Sequence, residues 1–117
     1  MTASEREHFR QKLLASRAEL LAEIAALTDV THSEADRDGD QADHASAETD
    51  RDIVDINRTR IEGLLSEVDH ALVRIASGGY GICVDTGEPI ELNRLEAQPT
   101  ATLSLAAQQR RERRLSE

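Results

Sequence analysis

The sequence has one cysteine, Cys83, and no tryptophan. A lone cysteine excludes an intramolecular disulfide framework and a four-thiolate metal site. One Phe and one Tyr are the whole aromatic content of 117 residues. Aromatic rings supply much of the buried area in small domains, so a thick globular core is excluded. Two prolines and six glycines are too few for collagen-like or linker-type chains. No apolar run reaches about 18 residues, so no membrane span is expected. The amino terminus, MTASEREHFRQK, is charged and lacks the apolar stretch of a secretory signal. These absences lead to an expectation of a cytoplasmic protein.

What is present is charge and helix formers. Charged residues make up 32% of the chain and hydrophobic ones 38%, with Ala, Leu, Glu, Arg and Asp dominant. That composition suits a long, thin, helical architecture of one domain's size. The net charge of -9 argues against a DNA-binding surface, so direct sequence-specific DNA contact is not expected. The charge is uneven. From Asp29 to Asp55 there are ten acids against two arginines; from Glu91 to Glu117 there are four acids against five arginines. The middle of the chain is an acidic device, and the last helix ends in base.

Thr2 to Leu27 reads as a helix. Thr2 and Glu5 fit a reciprocal cap, the hydroxyl taking an amide and the carboxylate reaching back. Phe9, Leu13, Leu20, Ile24 and Leu27 form one narrow apolar seam, interrupted at Ser16 or Arg17. Thr28 to Gln41 breaks the pattern with short polar residues that favour turns. A second helix starts between Asp40 and Ala45 and runs to Ser77. Ile53, Ile56 or Asn57, Ile61, Leu64, Val68, Leu72 and Ile75 continue a 3–4 repeat along it. Its 35 or so residues extend about 50 Å at the ordinary helical rise. Neither seam is stable alone. The simplest solution is an antiparallel hairpin over residues 1–77, with an acidic tip at about 29–45; the alternative is pairing of each helix with another chain.

Gly78 and Gly79 stop the second helix. Residues 78–117 then read as a compact, turn-rich module with a last helix. Ile82, Val84, Ile90, Leu92, Leu95 and Leu103 are its expected core. Pro99 is expected near the start of the last helix, where a missing N–H does no harm. Arg110, Arg111, Arg113 and Arg114 complement the dipole at that helix's end.

Two segments carry a family resemblance. The first is Asp40-Gln41-Ala42-Asp43-His44-Ala45, of the form D-x-x-D-x-A. The second is Tyr80-Gly81-Ile82-Cys83, then Gly87 and Ile90, then Arg94-Leu95-Glu96-Ala97-Gln98-Pro99-Thr100-Ala101. Together, and in this order, they resemble the DksA/TraR family of bacterial regulators, whose coiled-coil tip enters the secondary channel of RNA polymerase. The resemblance covers nearly the whole chain. It implies an all-α-dominated fold: a long antiparallel coiled-coil hairpin, a small zinc-finger-like module with room for a short β-hairpin, and a C-terminal helix. It implies RNA polymerase as partner, Asp40, Asp43 and Ala45 as the tip, and Arg60, Leu64 and Arg94 as candidate polymerase contacts. The expected activity is non-enzymatic regulation of initiation at sensitive promoters such as those of ribosomal RNA.

The departures from the family pattern are equally specific. Its four cysteine positions fall on Cys83, Thr86, Ser104 and Ala107, so only one metal ligand remains and zinc is not expected. Family members also bind ppGpp at the polymerase interface through basic residues. The matching positions here are Glu67, Gln98 and Gln108, which lack the charge-assisted bonds a pyrophosphate needs; Arg60 remains.

Other readings are weaker. Asp40 and Asp43 share a helical face, and on residue chemistry alone helix capping explains them better than a functional tip does; the resemblance reverses that order. Asp36, Asp38 and Asp40 imitate the start of a calcium loop, but Gln41 and Ala47 stand where that loop needs Gly and Glu. Transcript-cleavage factors of the Gre type also present acidic hairpin tips, but carry a β-rich C-terminal domain that this chain is too short to hold. A structural coiled-coil adaptor is the third reading. There is no nucleophile–base pair and no phosphate loop, so an enzyme is not expected.

Overall fold

The computed structural model describes residues 1–36 and 44–116, with side chains described for residues 1–28 and 50–116. Four helices follow in order: α1 (Ala3–Asp36), α2 (His44–Ser77), α3 (Leu92–Ala97) and α4 (Leu105–Ser116). The architecture is the expected one, an antiparallel helical hairpin followed by a small zinc-finger-like module and a terminal helix. Chain contacts divide it into two units, residues 1–16 with 67–117, and residues 17–66.

α1 begins as the sequence predicts. The Thr2 amide donates to Glu5 Oε1 at 3.0 Å, and the Glu5 amide donates to Thr2 Oγ1 at 3.1 Å. These reciprocal bonds satisfy two amides that have no partner inside the helix. They also hold the Glu5 carboxyl below its ordinary range, the Thr2 amide being the main cause. At its other end α1 runs to Asp36, nine residues beyond the predicted stop at Leu27. Extending an established helix costs far less than starting one, and Ser, Thr and Asp each cost only roughly half a kcal/mol relative to Ala. Thr28 is accommodated by donating its hydroxyl to the Ile24 carbonyl at 3.0 Å.

In the unit of residues 17–66, the α1 seam consists of Leu20, Ile24 and Leu27, each half-buried. On α2 the covered positions are Val54, Asn57, Arg58, Ile61 and Leu65, with Ile61 only 2% exposed. Arg58 donates to Thr28 Oγ1 at 3.3 Å, which ties the two helices side by side in antiparallel order. The predicted seam holds at Ile61 and, of the pair Ile56 or Asn57, at Asn57, and it fails at Ile53 and Leu64. Ile53, Ile56 and Leu64 face solvent at 52%, 68% and 36% exposure. At those positions the covered residues are Val54, Asn57 and Leu65, each one residue over, about 100° around the helix.

In the other unit, Phe9, Leu13, Val68 and Ala71 are buried. The Phe9 and Tyr80 rings lie 5.9 Å apart, so the start of α1 packs on the chain just after α2. Gly78, at φ +88°, terminates α2 in the left-handed conformation that suits glycine. The Gly79 and Tyr80 amides both donate to the Arg74 carbonyl. Arg74 in turn donates to the carbonyls of Gly79 at 3.0 Å and Ile82 at 2.7 Å, clamping the exit.

The module's core matches the predicted one in Ile90 and Leu95, with Leu103 half-buried, and departs from it in the rest. Ile82, Val84 and Leu92 are exposed, while Tyr80, Cys83, Ile90, Leu95, Ala101 and Ala107 are buried. A module this small brings backbones close together, so Cys83, Ala101 and Ala107 fit between Tyr80, Ile90 and Leu95 while Ile82, Val84 and Leu92 are left at the rim. Gly81, at φ +81°, sits under Met1; a Cβ there would stand 2.7 Å from the Met1 methyl. Ile82 and Pro89 form a single antiparallel bridge rather than a strand pair. Pro99 lies between α3 and α4, not at the start of the last helix. Its carbonyl accepts the Tyr80 hydroxyl at 2.7 Å. The cap of α4 is Ser104, whose Oγ accepts the Ala107 amide at 3.2 Å.

Candidate functional site

Three places in the described residues combine functional chemistry with defined geometry: the knuckle around Cys83, a cleft beside Arg94, and the outer face of α2.

The knuckle forms where the turn after Tyr80 meets the start of α4. Cys83 donates its amide to the Glu88 carbonyl at 2.8 Å and accepts the Gly87 amide on its own carbonyl at 2.9 Å. Val84 donates to the Thr102 carbonyl at 2.9 Å, joining the turn to the segment before α4. Cys83 is 1% exposed, yet its thiol is lowered from 9.0 to about 6. The Thr86 hydroxyl is the main cause, followed by the Ser104 amide; further amides at Thr86 and Asp85 add to it, and together they outweigh desolvation. Asp85 receives a two-pronged bond from Arg111, with Nε to Oδ2 at 2.8 Å, so α4 is pinned to the same turn.

This knuckle occupies the place where the resemblance puts zinc. Tetrahedral zinc requires about four thiolate, imidazole or carboxylate donors. Positions 83, 86, 104 and 107 offer one thiol, two hydroxyls and a methyl group. Thr86 Oγ1 accepts the Glu88 amide at 3.3 Å and donates toward Cys83. Ser104 Oγ already caps α4. Among the described residues no cluster of His, Cys, Asp and Glu is suited to a metal ion. The residues present do not fit zinc.

The cleft beside Arg94, of about 200 Å³, is lined by Glu67, Gln98, Thr100, Thr102, Leu103 and Gln108 among others. It therefore gathers the three positions that the resemblance aligns with ppGpp contacts. Its one cation is engaged: Arg94 donates to the Leu103 carbonyl at 2.8 Å and also to Gln108 Oε1. Gln108 passes the chain on to Glu112 at 3.0 Å. With one guanidinium and one carboxylate, the cleft has no net charge. Arg94, predicted as a surface contact, is half-buried and ties α3 to α4.

The outer face of α2 presents Ile53, Ile56, Arg60 and Leu64, all exposed and spaced three or four residues apart. Arg60 and Leu64 were expected contacts; Ile53 and Ile56 were read as seam. The signal that separates them is the register of the covered row at Val54, Arg58, Ile61 and Leu65, which alternates four and three residues without interruption. Asp40 and Asp43 lie outside the described residues. Ala45 is the second residue of α2.

A further set of contacts was not foreseen. Glu96 on α3 receives Lys12 Nζ at 2.7 Å on its carboxylate and 2.6 Å on its carbonyl, and meets His8 Nε2 at 2.6 Å. These bonds lower the Glu96 carboxyl, Lys12 being the main cause. They fasten the first turns of α1 to the module and are structural in character.

Comparison with known proteins agrees with this arrangement. Residues 5–75 match the family described as "DnaK suppressor protein DksA, N-terminal domain". Residues 78–113 match "Prokaryotic dksA/traR C4-type zinc finger". The "RNA polymerase-binding transcription factor DksA" of Caulobacter vibrioides is 49% identical over 108 residues, covering 92% of this chain and 76% of that protein. The protein of the same name from Escherichia coli K12 is 30% identical over 105 residues, covering 90% of this chain and 70% of its own length. The solved structure of transcription factor DksA2 from Pseudomonas aeruginosa superposes with a TM-score of 0.94 at 40% identity, over 100% of this chain and 90% of that one.

Proposed function

The chain belongs to the DksA/TraR family, and from that premise we propose that it is a non-enzymatic transcription regulator that binds RNA polymerase directly. The observation that carries this reading is the uncovered row Ile53, Ile56, Arg60 and Leu64 on α2. A two-helix seam has no use for apolar side chains on its outer face, and such a row marks a protein-binding surface. Arg60 at its centre supplies a charge that can pair with an acidic group on the polymerase.

In this reading the outer face of α2 grips the polymerase rim, and Asp40, Asp43 and Ala45 act at the tip inside the secondary channel. The tip carboxylates alter the behaviour of initiation complexes at sensitive promoters, ribosomal RNA promoters among them. Arg94 contributes by holding the module in shape. The module folds without zinc, through the Cys83 hydrogen bonds, the Ser104 cap and the Asp85–Arg111 pair. The cleft of Glu67, Gln98 and Gln108 adds no net positive charge, so ppGpp strengthens the response little.

In vitro transcription with purified polymerase tests the proposal. Asp43→Asn is expected to bind polymerase as wild type does and to lose the promoter response. An Asn variant that regulates like wild type defeats the tip assignment. Transcript cleavage in backtracked complexes instead of a promoter response would favour a Gre-type role.

A further inference from the structure

A second polar cleft lies on the module, and its lining shares no residue with the Glu67 cleft. It encloses about 490 Å³ and is lined by Asp85, Thr86, Ala107, Arg110, Arg111 and Arg114. Ala107, Arg110, Arg111 and Arg114 stand at successive spacings of three, one and three along α4, so they share one face of that helix. Ala107 is buried at its floor, and the three arginines are exposed around its rim.

The arginines are not equivalent. Arg111 is fixed by its two-pronged bond to Asp85, which raises its own pKa and lowers that of the carboxyl. Arg110 and Arg114 have no ion-pair partner among the described residues and act on Asp85 only at a distance. Complementing the helix dipole accounts for basic residues in the last turn, Arg113 and Arg114. It does not account for three guanidinium groups converging on one concavity. The lining carries three positive charges and one negative.

We propose that this cleft is a binding site for a compact, multiply charged phosphate of the pyrophosphate class, held by Arg110 and Arg114 against the fixed guanidinium of Arg111. Guanidinium groups bind phosphoryl oxygens through paired, charge-assisted bonds, and three of them match an anion with more than one phosphoryl group. Asp85 faces the same cleft, and its pairing with Arg111 relieves the repulsion it would otherwise exert. The chain's net charge of -9 disfavours a long nucleic acid, which would be repelled beyond the cleft, and favours a ligand small enough to lie within it.

The test is a titration of the isotopically labelled full chain with pyrophosphate at fixed ionic strength, followed by amide resonances. Parallel titrations use sulfate and a single-stranded oligonucleotide. Shifts confined to Thr86, Ala107 and Arg110 are expected, saturating with pyrophosphate and weaker with sulfate. The double variant Arg110→Gln, Arg114→Gln should lose about tenfold or more in affinity, corresponding to roughly one strong charged contact. Arg113→Gln, on the same helix but outside the cleft lining, should bind as wild type does. Both variants alter exposed side chains, and an unchanged melting temperature confirms that they fold. The proposal is overturned by an absence of cleft shifts, by equal affinity in the double variant, by equal response to sulfate, or by tighter binding of the oligonucleotide at the same residues.

Discussion

α2 carries two apolar rows of similar composition and opposite fate. One row, Val54, Ile61, Leu65 and Val68, is covered by neighbouring chain, with Ile61 at 2% and Val68 at 4% exposure. The other row, Ile53, Ile56 and Leu64, begins one residue earlier and stays in solvent. Burial of the first row holds the fold, because apolar area removed from water is the main favourable term in folding. The second row, from 36% to 68% exposed, contributes less to folding and leaves apolar surface in water. Its presence is understandable only if something else covers it. The difference teaches that in a helical hairpin stability and recognition can be read from the same periodicity, offset by a single position.

The largest expected effect breaks the covered row. Ile61→Ala should lower the unfolding free energy by about 2–4 kcal/mol, measured by denaturant titration, since a buried isoleucine leaves a cavity that a narrow seam fills poorly. Thr2→Ala, which removes the cap of α1 and touches neither row's side chains, should cost about 1 kcal/mol in the same assay. Ile56→Ser on the uncovered row should change stability by less than about 0.5 kcal/mol. A large loss there would mean that this row is covered within the chain after all.

The knuckle offers a further contrast, between a module held by metal and one held by hydrogen bonds. Its pH dependence follows from Cys83. The thiol is lowered from 9.0 to about 6 on folding, so between those values the unfolded chain binds a proton that the folded chain does not. The thiolate contribution to stability is therefore full above the unfolded value and disappears as pH falls through about 6. Thiolate ultraviolet absorbance of the folded protein should titrate with a midpoint near 6, and Thr86→Val should move that midpoint upward. The smallest expected effect is that of a zinc chelator, which should leave the melting temperature unchanged.

Much of this was legible in the sequence. The reciprocal cap at Thr2 and Glu5, the α1 seam from Phe9 to Leu27, and the stop at Gly78 are local signals, and each appears where its chemistry requires. The end of α1 was not legible, because the polar residues after Leu27 suit turns and helix continuation almost equally. The uncovered row was misread because Ile53, Ile56 and Leu64 fit the helical period as well as the covered row does. Which of the two is buried depends on the partner helix. The module's core was legible in part: Ile90 and Leu95 are buried as their size suggests, but Ile82, Val84 and Leu92 are not, and backbone proximity selects Cys83, Ala101 and Ala107 in their place. The Asp85–Arg111 pair spans 26 positions, and no local pattern announces it.

The claim that the uncovered α2 row is the polymerase-binding surface is tested most directly by equilibrium binding of the full chain to core RNA polymerase. The double variant Ile56→Ala, Leu64→Ala, with its melting temperature matched to wild type, is the comparison. The account predicts an affinity about tenfold or more weaker, the loss expected when central apolar anchors are truncated. Equal affinity of the two proteins would contradict it.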